Sequence, residues 1–257
     1  MKKILIMITF AATLIGCCAK KPHYESVNDY PVKQGSLSEM TYSPEKTIFS
    51  VWSPNADSVY LNLYADATTV EPLQTLVMCR QKDGSWTKTV KGDLNGQFYT
   101  FQVVEPSSRW TLHETPGIFA KAVGVNGRRA AIIDLATTNP EGWNEDVRPA
   151  FAGAKDAIVY EMHHRDMTIH ATSGVENKGK FLAWTEHGTT TAEGLATRID
   201  HLVGLGVTHV QILPSYDYGS VDETRLSDNT YNWGYDPVNY NAPDGGYSTN
   251  PYDPASR

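Results

Sequence analysis

Aromatic and amide side chains are concentrated in residues 216–252. This segment holds seven of the 14 tyrosines, together with Trp233 and many Asn and Asp residues. Aromatic rings pack against the apolar C–H faces of sugar rings, while hydroxyl and carboxamide groups hydrogen-bond to sugar hydroxyls. The mixture therefore suits a neutral polyol as ligand. On composition alone, a loop that uses its tyrosines as its own hydrophobic core is an equally good interpretation.

Other groupings of reactive residues in the sequence are weak. The histidines at positions 163, 164, 170 and 187 lack the spacing of a zinc motif such as H-E-x-x-H, so we expect surface or hydrogen-bonded histidines. The sequence has no G-x-S-x-G nucleophile motif. We expect no cofactor. Calcium is kept only as an alternative, because the Asp-rich loop lacks the spaced acidic pattern of an EF-hand.

Composition and charge limit the class of partner. The chain has 257 residues, of which 40% are hydrophobic and 20% charged, as is ordinary for a globular protein. Its net charge is -7. Because binding to nucleic acid needs clustered Lys and Arg, this balance argues against a nucleic-acid partner.

The N-terminal residues have the pattern of a targeting signal. Lys2 and Lys3 precede the apolar run Ile4–Ile15, which is too short to span a bilayer well. The run ends in L-I-G-C at residues 14–17, which resembles a bacterial lipobox. This resemblance implies a lipoprotein signal peptide over residues 1–17, acylation of Cys17, and an exported, membrane-anchored protein that is periplasmic or on the cell surface. A plain secretory signal with a chance cysteine is the alternative.

The next residues are expected to lie outside the folded core. Residues 18–44 are polar with scattered prolines, a pattern that predicts a mobile tether. With Cys17 assigned to lipid, Cys18 and Cys79 remain, and their spacing implies no disulfide framework. Cys79 is most simply interpreted as a small buried apolar residue in a strand.

Residues 45–120 are predicted to form a β-sandwich. In Val59–Ala65, apolar residues alternate with Tyr and Asn at a period of two. Turn signals such as Asp83-Gly84 and Asn95-Gly96 separate this run from similar ones. Several short strands at such spacing are typical of a sandwich. The other predicted strands are Thr47–Trp52, Thr75–Arg80, Trp86–Val90 and Phe98–Val104.

The pattern changes after an irregular linker, predicted over residues 121–155. Ala157–Met162 and Val207–Leu213 are nearly continuous apolar runs, as expected for strands covered on both faces. Between them, Thr190 and Glu193 form a capping-box pattern that predicts the start of a helix. Strand, helix and strand in this order predict a βαβ unit with parallel strands. The long connections after each strand are typical of functional loops.

Particular motifs then suggest a family. Tyr231–Pro237, Y-N-W-G-Y-D-P, is similar to the signature of type I pullulanases in the α-amylase superfamily of glycoside hydrolases. Tyr160–Asp166 and Gly206–Pro214 resemble the segments of that family's first two barrel strands. Residues 84–101 resemble the starch- and glycogen-associated module that precedes such barrels. The resemblance implies an all-β sandwich followed, over residues 156–257, by the first βαβ part of an α/β TIM (β/α)₈ barrel, which is incomplete.

The resemblance also implies roles for residues. Tyr235 is expected to be the stacking platform beneath a sugar ring at the cleavage subsite. Asn232, Trp233 and Asp236 would shape the same subsite, and scaffolding of the loop is the alternative for Trp233 and Asp236. No catalytic residue is assigned, because the family's catalytic carboxylates correspond to positions after Arg257. The chain alone is therefore expected to be inactive. Glu161 and Asp166 are not expected to replace those catalytic acids.

The implied function is hydrolysis of α-1,6-glucosidic linkages in pullulan, glycogen or starch-derived α-glucans with retention of configuration. The implied partners are an α-glucan polysaccharide or oligosaccharide and a membrane reached through the N-terminal lipid. An isoamylase or branching-enzyme relative is one alternative. Another is a non-catalytic α-glucan-binding lipoprotein that uses Trp52, Trp86 or Trp110 to stack on sugars, although Trp86 fits a core position equally well.

Overall fold

A computed structural model describes residues 18–105 and 113–257. The predicted signal peptide and Trp110 lie outside the described residues. In its first part, the described residues form eight short strands. They are β1 (Met40–Ser43), β2 (Lys46–Trp52), β3 (Ser58–Tyr64), β4 (Gln74–Val77), β5 (Cys79–Arg80), β6 (Ser85–Lys91), β7 (Phe98–Val104) and β8 (Ala130–Ala131).

These strands form the predicted β-sandwich. One sheet has the order β1-β2-β6-β5 and the other β4-β3-β7-β8, and the paired strands are antiparallel. Phe49 in the first sheet and Leu61 and Phe101 in the second belong to one fully buried cluster. The ring of Tyr99 lies edge-on to both phenylalanines, at centroid distances of 5.0 and 5.4 Å. Because each buried aromatic or leucine side chain contributes ~1.5–3 kcal/mol, this cluster is the main hydrophobic core of the module.

The chain crosses between the sheets at Met78. The sequence predicts one strand over Thr75–Arg80, but β4 pairs with β3 while β5 pairs with β6. Between them, the buried Met78 donates its backbone N–H to the carbonyl oxygen of Val59, at 2.9 Å. The sequence pattern of Thr75–Arg80 does not reveal this crossing, because the backbone is extended both before and after Met78.

The N-terminal segment is docked on this sandwich. A disulfide joins Cys18 to Cys79 across 61 residues of sequence. The prediction that Cys79 is an unpaired buried residue is therefore wrong, and so is the expectation of no disulfide. Sequence spacing could not identify the pair, because the two cysteines meet only through tertiary structure. The predicted mobility of residues 18–44 is not matched either, since several side chains of this segment bond to the sandwich.

The second part contains the predicted βαβ unit. Strands β9 (Val159–Met162) and β10 (His209–Ile212) pair in parallel, and the helix α2 (Arg198–Gly204) lies between them in sequence. A further short helix, α1 (Asp166–Ile169), follows β9 directly. Apolar side chains of both strands are exposed in the described chain, whereas the sequence predicts strands covered on both faces. The apolar runs are present, but no described layer covers this two-stranded sheet completely.

The predicted start of the helix at Thr190 is wrong. Thr197 occupies the N-cap position of α2, and its side chain makes no capping hydrogen bond. Thr190 instead forms an isolated antiparallel bridge with Ala196, and the chain reverses between them through Gly194 at φ +79°. A residue with positive φ interrupts a helix, so the capping-box pattern at Thr190 and Glu193 belongs to a turn.

Two more strands frame the tyrosine-rich segment. β11 (Tyr216–Tyr218) and β12 (Pro237–Pro243) pair antiparallel with shifts in register. The loop 219–236 joins them, so it is anchored at both ends. Within the described ranges, we find no helix whose length and hydropathy would allow it to cross a membrane.

Candidate functional site

The tyrosines of the 216–252 segment divide into two groups. Tyr218 and Tyr247 are buried and pack with Val221 in a small cluster. Tyr235 and Trp233, by contrast, are 65% and 63% exposed. The interpretation of the tyrosines as the loop's own core thus holds for Tyr218 and Tyr247, whereas Trp233 and Tyr235 are not core residues. The buried rings support the loop from within, and the exposed rings are free to contact a ligand.

Asn232 and Asp236 hold the exposed loop in shape. The side-chain oxygen of Asn232 accepts a hydrogen bond from the backbone N–H of Gly234 at 2.6 Å. Its amide nitrogen donates to Asp236 at 2.8 Å, and Ser220 donates its hydroxyl to the other oxygen of Asp236. Burial alone would raise the pKa of Asp236, but the hydrogen bonds from Ser220 and Asn232 outweigh burial and lower it. The ionised carboxylate therefore braces the loop, which favours the scaffolding interpretation for Asp236 and gives Asn232 a similar role.

Gly234 allows the loop to approach the end of β10. Its φ is +85°, and a Cβ atom built there would lie 1.9 Å from the carbonyl oxygen of Pro214. Any other residue would meet both backbone strain and a direct clash with main chain. This close approach places Trp233 and Tyr235 beside the segment that immediately follows the strand.

His163 connects the loop to β9, a role that the sequence analysis missed. This buried residue directly follows β9, and its Nε2 lies 2.8 Å from the carbonyl oxygen of Asn232. The backbone N–H of Asp166 donates to Nδ1 at 3.3 Å, so Nε2 carries the proton and donates it to Asn232. The ring also packs against Tyr231, at a centroid distance of 5.2 Å. The sequence signal that could have identified His163 was its position directly after a predicted strand, at the carboxyl end.

A second exposed aromatic surface lies along β11 and β12. A groove of about 690 Å³ is lined by Tyr216 and Tyr240 and also by Phe181 and Leu182. The two tyrosine rings are 6.1 Å apart. Its lining is mainly apolar, and Ser248 is among the polar residues that line it. Grooves of this size and composition accommodate small organic ligands.

Three carboxylates meet in the interior beneath these strands. Asp217, Glu223 and Asp244 are buried and have carboxylate oxygens within 4.8 Å of one another. Arg257 donates to Asp217 at 3.0 Å and to Glu223 at 2.6 Å. Although retaining glycosidases hold two carboxyl groups ~5 Å apart, these three are buried and already engaged. Since a guanidinium supplies the positive charge that a metal would bring, we assign the cluster a structural role.

Burial shifts the protonation of this cluster. It raises the pKa of Asp217 to about 6, although Asn239 and Arg257 oppose the shift. Burial, together with the charge of Glu223, raises the pKa of Asp244 to about 7. Arg257 also donates to the carbonyl oxygen of Gly124 at 2.9 Å. The cluster thus ties the tyrosine-rich segment to the chain that follows the sandwich.

The remaining candidates occupy structural positions. Glu161 accepts a hydrogen bond from Gln211 on the neighbouring strand at 2.6 Å, as fits the predicted strand residue. Trp86 is buried in the sandwich core and donates its indole N–H to the carbonyl oxygen of Ser53, so it is not available to stack on a sugar. Trp52 is partly buried beside Tyr30.

Comparison with known proteins explains the two-part architecture. Residues 38–116 match the family Carbohydrate-binding module 48 (Isoamylase N-terminal domain). Over 216 residues, covering 84% of this chain, the sequence is 40% identical to a pullulanase of Bacillus subtilis. The crystal structure of a pullulanase from Paenibacillus barengoltzii, in complex with maltohexaose and α-cyclodextrin, superimposes with a TM-score of 0.85 at 48% identity over 90% of this chain. The chain is homologous to the N-terminal portion of the pullulanases.

Other pullulanases agree over the same region. The pullulanase of Bacillus acidopullulyticus gives a TM-score of 0.79 at 39% identity, covering 93% of this chain. The matched region is only part of each relative: 29% of the B. subtilis pullulanase, 35% of the P. barengoltzii chain and 28% of the B. acidopullulyticus chain. The predicted resemblance to type I pullulanases of the α-amylase family is thus confirmed over their N-terminal portion.

Proposed function

We propose that this chain is the α-glucan-binding N-terminal portion of a pullulanase-type debranching hydrolase. The carrying observation is the exposure of Tyr235 and Trp233 on a loop that is braced from below by Asn232, Asp236 and His163. A rigid, exposed aromatic pair can stack on pyranose rings at little cost in conformational entropy. The relatives with this architecture are pullulanases, and one was crystallised with maltohexaose.

The proposed reaction is hydrolysis of α-1,6-glucosidic linkages with retention of configuration. It requires a nucleophilic carboxylate and a carboxylic acid ~5 Å apart on either side of the scissile bond. In the proposal, the βαβ unit begins a (β/α)₈ barrel, and the catalytic pair belongs to the portion of the relatives that this chain does not match. The platform of Tyr235 holds the sugar ring, and the chain alone releases no sugar.

Binding of maltohexaose to the full chain tests this proposal. Isothermal titration of the wild type is compared with Tyr235→Ala and with a matched control, Tyr252→Ala, which removes an exposed tyrosine outside the loop. Loss of one stacking ring is expected to weaken binding by ~1–1.5 kcal/mol, or roughly tenfold. The control should bind as the wild type does. Equal affinities for all three proteins would count against stacking of a sugar ring on Tyr235.

A reducing-end assay on pullulan tests the catalytic part of the proposal. We expect no new reducing ends from the purified 257-residue chain. Release of oligosaccharide would show that a catalytic pair lies within the chain, and the assignment of the buried acids would have to be revised. Hydrolysis is favoured over non-catalytic glucan binding as the function of the family, because the relatives are named pullulanases and isoamylase.

We also propose that the protein is exported and anchored by lipid on Cys17. The support is the L-I-G-C motif at residues 14–17 and the Cys18–Cys79 disulfide, since disulfides persist in oxidising compartments outside the cytosol. Cys17→Ser should move the protein from the membrane fraction to the soluble fraction. An unchanged distribution between the membrane and soluble fractions would contradict lipidation of Cys17.

A further inference from the structure

The first described residue is attached covalently to the edge of the sandwich. Cys18 and Cys79 are joined by a disulfide with their Cα atoms 5.2 Å apart. Cys79 begins β5, which is the edge strand of its sheet. On this open edge, Ala19 donates its backbone N–H to the carbonyl oxygen of Arg80 at 2.9 Å. The chain after the disulfide therefore extends the sheet edge by one backbone hydrogen bond.

Side-chain contacts continue this docking along the segment. Lys21 forms a salt bridge with Asp57 at 2.9 Å, and Arg80 donates to the hydroxyl of Tyr24 at 3.2 Å. The ring of Tyr30 lies edge-on to Trp52 at a centroid distance of 6.4 Å. These contacts hold residues 19–30 against the sandwich at three further positions.

Lys33 adds the last of these contacts. It forms a salt bridge with Asp83, and its hydrogen bond is the main cause that lowers the pKa of Asp83 to about 2. The contact keeps Asp83 ionised at a lower pH than an ordinary aspartate would be. Residues 18–33 are therefore fixed to the sandwich at both ends and in between, so they do not act as a spacer.

This docking changes the geometry of the anchor proposed on Cys17. Adjacent Cα atoms are ~3.8 Å apart, so a lipid on Cys17 begins one residue from the disulfide. A flexible tether over residues 18–44 would instead have a root-mean-square length of roughly 26–31 Å. Lys20 and Lys82 are exposed close to this attachment point in sequence, and cations near a membrane surface attract anionic headgroups.

We propose that the Cys18–Cys79 disulfide pins the lipid-bearing end of the chain to the β5 edge, so that the sandwich rests directly on the membrane with this edge toward the lipid headgroups. Forming the bond removes two electrons and two protons from the two thiols. A protein disulfide of the exporting compartment accepts them by thiol–disulfide exchange and is reduced to a dithiol. The inference goes beyond glucan binding, and it rests on the proposed acylation of Cys17.

Neutron reflectometry on a supported bilayer measures the proposed geometry. The mature lipoprotein is reconstituted in phosphatidylethanolamine with phosphatidylglycerol, and the water gap between headgroups and protein layer is determined. The wild type should show a gap of less than ~5 Å, about one residue long. A control with twelve Gly/Ser residues inserted between Cys17 and Cys18 should show a gap of roughly 17–21 Å. The water gap of the C18S/C79S variant should lie between these two values, because the noncovalent contacts of residues 19–33 remain.

Three results would overturn the proposal. The first is a wild-type gap as wide as that of the insertion control. The second is a non-reducing peptide map without the Cys18–Cys79 cross-link. The third is a mature N-terminal peptide without lipid, found by mass spectrometry. None of these depends on sugar, so failure here is distinguishable from failure of the glucan-binding function, which titration with maltohexaose reports.

Discussion

Replacing Arg257 should destabilise the tyrosine-rich part of the chain in a manner that depends on pH. Its guanidinium is buried and pairs with Asp217 and Glu223, with Asp244 close by. Arg257→Gln keeps a hydrogen-bond donor but removes the positive charge. Removing one partner of a buried ion pair costs ~3–5 kcal/mol, because the remaining charge has lost both its water and its counter-charge.

The pH dependence follows from the raised pKa values of two of the acids. The pKa of Asp217 is about 6 and that of Asp244 about 7 in the folded chain, both above the usual value of 3.8. A carboxyl with a raised pKa binds its proton more tightly when folded. These groups therefore stabilise the fold most at low pH, and the free energy of unfolding falls as the pH rises from about 4 to about 7.

The cost of Arg257→Gln should follow the same direction. At pH 8 Asp217 and Asp244 are largely ionised, and the full ~3–5 kcal/mol is expected. At pH 5 both are largely protonated, so the cost is mainly the loss of the charge-assisted hydrogen bond to Glu223, ~1.5–3 kcal/mol. For a protein of this size ~1 kcal/mol shifts Tm by roughly 2–4 °C, so Tm should fall by roughly 6–20 °C at pH 8 and by roughly half as much, about 3–12 °C, at pH 5.

Scanning calorimetry at the two pH values measures this difference. The matched control is Arg225→Gln, which removes an exposed arginine that pairs with Asp228 on the surface. Surface pairs contribute ~0–1 kcal/mol, so the control should change Tm by less than about 4 °C at either pH. An equal fall in Tm at pH 5 and pH 8 for Arg257→Gln would refute the argument that ionised Asp217 and Asp244 need this cation.

Three further substitutions test other parts of the structure. His163→Ala removes the donor to Asn232, so it should weaken maltohexaose binding severalfold and speed amide hydrogen exchange in residues 231–236. His163→Gln should restore much of the affinity and of the exchange protection. Unchanged exchange in His163→Ala would show that the histidine does not hold the loop. Gly234→Ala should lower maltohexaose affinity and Tm together, since its Cβ would clash with Pro214, and full affinity would disprove that fit. Phe101→Ala should cost ~3–5 kcal/mol in urea unfolding of the sandwich, whereas a cost below ~1 kcal/mol would place the core elsewhere.

Local patterns were sufficient for several of the regular elements. The alternation in Val59–Ala65 predicted β3, and the apolar runs around residues 157 and 207 predicted the parallel pair of β9 and β10. These predictions succeed because burial of one or both faces imposes a fixed period on the sequence. They fail at Thr190, where a capping-box pattern occurs in a turn, since the same residue types stabilise both structures.

The candidate site was predicted in part. The Y-N-W-G-Y-D-P motif identified Trp233 and Tyr235, and the structure exposes both rings. The support from His163 was not predicted, because the histidine and Asn232 are 69 residues apart and their contact is made by the fold. That Tyr235 stacks beneath a sugar ring stays a prediction, which the maltohexaose titration will test.

The sequence by itself determined several of the strands, the order of sandwich and βαβ unit, and the aromatic and amide chemistry of one loop, because each depends on residues that are neighbours along the chain. Only the tertiary structure decided which charges meet in the interior and which cysteines pair. Arg257 reaches Gly124 across 133 residues, and Cys18 reaches Cys79 across 61. Such pairings depend on how the sheets and loops pack, since distance along the chain carries no information about which buried groups will share one site.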